Sequence, residues 1–160
     1  MLLLLDAHGL PLAWSDEFDE IAGSPPEARW WSHEIGSHRW GQGEHQRCTI
    51  EPINAAHYGL GQLTIRAAVD GRGYSSARLA IKGRVALRFG RVDCRLRLPK
   101  RARASGPLAS DINKVSWPAC GDINAMEDLG AEPRRIFGMV HCRGRFGREG
   151  PSGDRANPAP

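Results

Sequence analysis

Two acidic side chains, Asp122 and Glu127, stand five residues apart in the stretch Trp117-Pro118-Ala119-Cys120-Gly121-Asp122-Ile123-Asn124-Ala125-Met126-Glu127, with an aromatic residue close by. Paired carboxyls beside an aromatic ring suit cleavage of a glycosidic bond. One protonates the leaving oxygen, the other attacks the sugar or activates water, and the ring stacks on the substrate. On a regular strand, residues 122, 124 and 126 face one way and 127 the other. The two acids share a face only if one extra residue is inserted, so a β-bulge near Met126 is expected. The spacing also fits an edge strand with incidental solvent-facing acids, and by itself it does not decide.

The elements that would hold such a strand show period-two patterning. In Gly61-Gln62-Leu63-Thr64-Ile65-Arg66-Ala67, Leu63, Ile65 and Ala67 share one face; in Arg91 to Leu98, Val92, Cys94, Leu96 and Leu98 share one face and Arg91, Asp93, Arg95 and Arg97 the other. Alternation of this kind predicts half-buried strands with a wet side, which accounts for most of the local arginine cluster. Val69-Asp70-Gly71-Arg72-Gly73 reads as a turn, and Ser76 to Lys82 as a strand ending at Gly83. Pro99 to Ser110 reads as an exposed loop. The composition agrees with an all-β class: 160 residues, 19 Gly, 11 Pro and 7% aromatics favour short strands joined by turns around one core.

Several function classes are disfavoured. The net charge of +4 is dispersed along the chain among comparable numbers of acids, without the concentrated basic and aromatic patch of a nucleic-acid binder. Cys48, Cys94, Cys120 and Cys142 form no Cys-x-x-Cys pair and have no His at zinc spacing, so a zinc site is not expected, and no cluster of acids identifies a calcium site. Buried thiols are the simple reading and disulfides the alternative. The apolar run Met1 to Leu5 stops at Asp6, short of the roughly 7–15 apolar residues of a signal-peptide core, and no stretch approaches the roughly 18 of a membrane span. No export signal, membrane partner or cofactor is expected, and compartment and oligomeric state are not readable. The segment 143–160, rich in Gly, Arg, Pro and Ser, carries too few apolar residues to offset the entropy of ordering and reads as a mobile tail.

Further motifs accompany the acidic stretch: Trp14-Ser15-Asp16-Glu17-Phe18-Asp19, Trp40-Gly41-Gln42-Gly43-Glu44-His45-Gln46, Tyr74-Ser75-Ser76-Ala77-Arg78-Leu79 with Lys82-Gly83, Phe89-Gly90-Arg91-Val92 and Gly138-Met139-Val140-His141. In this order and spacing, over roughly residues 12–141, the set resembles glycoside hydrolase family 16, and within it the laminarinase-like endo-β-1,3-glucanases. The resemblance implies a jelly-roll β-sandwich (concanavalin A-like) whose concave sheet binds a β-glucan. It divides the chain into an N-terminal segment 1–11, a family-like domain 12–142 and the tail 143–160.

Family members carry a Glu-x-Asp-x-x-Glu motif on one cleft strand: nucleophile, electrostatic helper and acid/base. The resemblance places these roles on Asp122, Asn124 and Glu127, and only the last is the expected type. It also places sugar contacts at Asn54 and Arg78, a stacking platform at Trp117, and His141 beside the acid/base. Trp40 and Glu44 would shape the cleft wall, Met126 would fill the bulge, and Cys48 stands where the family usually has Tyr.

The departures have physical consequences. Asp122 is one methylene short, which withdraws its carboxylate by on the order of 1 Å, enough to cost about 100-fold in rate. Asn124 lacks the charge that would favour a neighbour's acid form by repulsion. Gly106-Pro107-Leu108-Ala109-Ser110 replaces an aromatic core strand of the family, whose large side chains contribute about 3–5 kcal/mol each. An incomplete sandwich is expected, with β-1,3-glucan hydrolysis by the retaining mechanism but impaired turnover. The alternative is an inactive carbohydrate-binding remnant or a non-functional fragment.

Overall fold

The computed structural model describes residues 2–5, 12–37, 44–87, 90–99, 104–105, 108–110, 116–128 and 135–156. Trp40, Phe89, Gly106 and Pro107 lie outside the described residues, as do the ends of the expected tail and N-terminal segment. Among the described residues, apart from one short 3-10 turn at Gly147–Glu149, the regular elements are strands, as the turn-rich composition predicts. The chain divides into two compact units, Met1–Arg95 and Leu96–Pro160.

The first unit is a set of small sheets. Strand β1 (Leu2–Leu5) lies between β2 (Trp14–Asp16) and β10 (Arg91–Cys94), antiparallel to both. Residues 2–5, expected to stand apart from the domain, thus form the middle strand of a sheet. β3 (Ser32–His33) pairs with β9 (Leu79–Ala80), and β5 (Ala55–His57) with β6 (Leu63–Ile65). β4 (Arg47–Cys48) runs parallel to β8 (Gly73–Ser76), which forms a hairpin with β7 (Ala68–Asp70) through the expected turn.

Aromatic packing explains the first motif. Trp14 is buried, with the rings of Trp30 and Trp31 edge-on at 5.9 and 6.1 Å and Ile81 and Val85 against the cluster. Asp16 ties this core together, accepting from Trp31 Nε1 at 2.7 Å and from the Phe18 backbone N–H at 2.9 Å. These motif residues are therefore scaffold. The strand expected over Arg91 to Leu98 ends at Cys94, and the apolar face expected at Val92, Cys94, Leu96 and Leu98 is not buried: Cys94 is exposed, Val92 and Leu96 keep about half of their surface, and Leu98 is half-buried. Period two marks the face that Val92 and Cys94 share, but burial needs a second layer to cover it. Of the four cysteines, all thiols, only Cys48 is buried.

The second unit is a single antiparallel sheet. β13 (Asp122–Asp128) pairs on one side with β14 (Arg135–His141), which pairs in turn with β15 (Ser152–Ala156). On its other side it pairs with two short strands, β11 (Ala104–Ser105) and β12 (Leu108–Ser110). Two expectations are corrected here. Part of the supposed loop 99–110 is strand, so the position of the family's aromatic strand is occupied, without its aromatic residues. The supposed mobile tail supplies β15, all five residues of which are exposed. Backbone pairing to β14, not apolar burial, orders it.

Candidate active site

The register of β13 against β14 assembles the site. Asp122 lies opposite His141, Ile123 opposite Val140, Asn124 opposite Met139, and Glu127 opposite Phe137. Three steps along β13 from Asn124 to Glu127 therefore match two along β14, which is the expected bulge around Met126. Directly opposed residues share a face, so Asp122, Asn124, Glu127 and His141 lie on one face and Ile123 on the other. Burial agrees: Asn124, Met126 and His141 are buried, Asp122 and Glu127 half-buried, Ile123 and Ala125 exposed. If the same residues were paired regularly, with no bulge, Glu127 would point away from Asp122.

Side-chain contacts tighten this face. The Asn124 side-chain nitrogen is 3.1 Å from Glu127 Oε1 and 3.4 Å from His141 Nε2. The far side of the imidazole is fixed by the backbone, as the Gly147 N–H donates to His141 Nδ1 at 3.1 Å. Trp117 covers the cluster from the side, its ring centroid 5.8 Å from that of His141 and 5.4 Å from that of Phe146. Trp117 keeps 53% of its surface exposed and Phe146 46%, so both rings present apolar area beside a buried polar cluster. A shallow groove of about 520 Å³ lies instead on the other face, against Ala125, Ile136 and Gly138, with no carboxyl of the pair among its lining residues.

Asn54 and Arg78 belong to the first unit. Asn54 is 1% exposed. Its oxygen accepts from Thr49 Oγ1 at 2.6 Å, and its nitrogen donates to the Arg66 carbonyl at 3.2 Å and to Ser75 Oγ at 3.1 Å. That network closes the amide off, and the expectation of a sugar contact there gives way to a structural role. Arg78 is half-buried and donates from Nε to Glu34 Oε2 at 2.6 Å. Glu44, half-buried, accepts from Gln46 Nε2. Trp40 lies outside the described residues.

No family model matches the sequence. The chain is 36% identical over 141 residues to a beta-glucanase of Rhodothermus marinus, an alignment covering 82% of this chain and 48% of that protein. Its fold superposes on the laminarinase of Rhodothermus marinus with a TM-score of 0.71 and 27% identity, covering 91% of this chain and 61% of that one. A non-specific endo-β-1,3(4)-glucanase of family GH16 matches with a TM-score of 0.74 and 18% identity, over 97% of this chain and 65% of that one. The chain belongs to glycoside hydrolase family 16. It spans about half of that beta-glucanase and less than two thirds of these two structures. The fold is the expected jelly-roll sandwich of the family 16 laminarinases, in part.

Within this family 16 site, sequence reasoning missed the contribution of residues 146–150. Gly147 has φ +58°, a left-handed conformation that lets the chain turn its N–H onto His141. A Cβ on Gly150 would stand 2.6 Å from the Val140 carbonyl oxygen, so the segment can lie against β14 only with glycine there. The paired glycines of Gly147-Arg148-Glu149-Gly150 were the available signal.

Proposed function

We propose that this chain binds a β-1,3-glucan and cleaves it slowly by the retaining route, with Glu127 as acid/base and Asp122 at the nucleophile position. The observation that carries the reading is the bulge, which puts Asp122, Asn124 and Glu127 on one face beside Trp117. In the first step the Asp122 carboxylate attacks the anomeric carbon while the Glu127 proton passes to the leaving oxygen. In the second, Glu127 takes a proton from the water that releases the sugar. Trp117 supplies the apolar surface on which a sugar ring stacks. The retaining geometry requires carboxyls about 5–5.5 Å apart, and the shorter Asp122 reaches less far than a glutamate would, so the first step is slow.

Asp122 and Asn124 also favour a second reading, binding without turnover, since stacking and hydrogen bonds to hydroxyls need no nucleophile. Reducing-sugar release from laminarin by the purified chain, beside Glu127→Gln and an Asp122→Glu/Asn124→Asp double variant, separates the two. Slow release that Glu127→Gln abolishes supports hydrolysis. Laminarin binding with no release, and gain of release in the double variant, supports the second reading. Neither binding nor release from any of the three, with a cooperative melt, refutes both.

A further inference from the structure

We propose that His141 is a positioning residue that turns the carbonyl oxygen of Asn124, not its nitrogen, toward Glu127, so that Asn124 accepts the hydrogen of the Glu127 carboxyl. The functional meaning of this polarity rests on Glu127 being the acid of the site, as proposed above; the hydrogen-bond argument itself does not.

The argument is a donor and acceptor count. The Gly147 backbone N–H can only donate, and it points at His141 Nδ1 from 3.1 Å. Nδ1 therefore offers its lone pair, and the ring hydrogen sits on Nε2. Nε2–H faces the amide end of Asn124 at 3.4 Å. With nitrogen at that place, N–H would meet N–H in a spot where Asn124 and His141 are each only 7% exposed. A buried donor without an acceptor is costly. A half-turn of the amide exchanges nitrogen for oxygen at the same place, and the conflict disappears. The same end of Asn124 lies 3.1 Å from Glu127 Oε1. With oxygen at that place, a hydrogen bond to Glu127 can form only from the acid form of its carboxyl, since a carboxylate has no hydrogen to give.

Among the described side chains, the surroundings offer no competing partner of this kind. On β13 the ionisable residue on the same face is Asp122, opposite His141, with Asp128 following Glu127. On β14, Arg135 is held by Asp154 of β15. The turn beyond His141 carries Arg143, Arg145 and Glu149, all exposed, and the exposed thiol of Cys142. Ser105 of β11 and Leu108 and Ser110 of β12, opposite Glu127, Asn124 and Asp122, bring no titratable group. A neutral relay thus takes the place of the charge that an aspartate at position 124 would supply. In family 16 terms, the acid half of the site is preorganised although the helper carboxylate is gone.

NMR of the full chain without any glucan tests this, so its failure is distinguishable from failure of the glucanase reading. The imidazole nitrogen shifts of His141 at neutral pH are expected to show the Nε2–H form; a dominant Nδ1–H form overturns the proposal without any variant. The Glu127 carboxyl carbon is then titrated in the parent, His141→Phe and His141→Gln. The ionisation midpoint is expected to fall in His141→Phe and to return toward the parent in His141→Gln, whose amide N–H replaces Nε2–H. An unchanged midpoint in His141→Phe, or an equal fall in both variants, overturns it. If His141→Phe does not fold, Asn124→Ala replaces it, with the same fall expected and an unchanged midpoint again decisive against.

Discussion

Two buried asparagines, one in each unit, do opposite kinds of work. Asn54 is walled in by neutral groups, the hydroxyls of Thr49 and Ser75 and the carbonyl of Arg66, and its side-chain bonds tie the turn before β5 to the end of β4, the segment after β6 and β8. Asn124 is nearly as buried, yet it lies between a glutamate and a histidine, the two side-chain types that general acid–base chemistry most often uses. Burial alone does not separate scaffold from chemistry in this fold. What separates them is whether the partners titrate, and whether an aromatic surface such as Trp117 is left open beside them.

That contrast can be broken at several points. The largest expected effect is at Glu127: Glu127→Gln lowers laminarin hydrolysis about 100- to 10,000-fold, the usual contribution of a general acid/base, with the thermal transition almost unmoved. Restoring reach and charge with Asp122→Glu/Asn124→Asp is expected to raise release about 100-fold; no gain would locate the defect elsewhere in the sheet. Asn54→Ala is expected to cost about 1–3 kcal/mol for each buried group it leaves unpaired, seen as a lower melting temperature with laminarin affinity retained. Loss of affinity at an unchanged melt would erase the distinction between the two asparagines. Trp117→Ala is expected to weaken laminarin binding about tenfold or less, as one stacked ring should, read by calorimetric titration.

The smallest effect belongs to the hairpin of the first unit. The Arg72 backbone N–H, and then Arg47, hold the Asp70 carboxyl below its ordinary value of 3.8. The group's contribution is present above that value and is lost as pH falls through the lower, folded one. Asp70→Asn should therefore flatten the acid limb of the stability curve slightly, and a steeper acid limb would contradict the assignment.

The sequence was most legible where chain geometry leaves one solution. Two acids five positions apart on a strand demand an extra residue if both face one way, and the bulge lies between Asn124 and Glu127. The turn between β7 and β8 was equally plain, because Asp-Gly-Arg-Gly has few alternatives. Reading failed where order comes from backbone pairing. Ser152–Ala156 shows no apolar alternation, yet it completes an edge of the sheet, and residues 104–105 and 108–110 pair with β13 without the aromatics that mark such a strand. Asn54 failed for another reason: polar residue type suggests a ligand contact, and only the closed network around it shows otherwise. Phe146 and Gly147 were hidden because low apolar content was equated with lack of order.

The bulge also bears on how such a site is gained and lost over generations. Losing the single codon for Ala125 would heal β13 into a regular strand and keep its pairing with β14, and because Glu127 would then stand four positions from Asp122, it would stay on the same side of the sheet. The side on which the acid stands therefore survives loss of the bulge. An acid in this fold is shed by substitution, one residue at a time as at positions 122 and 124, and the geometry stays readable while the groups change.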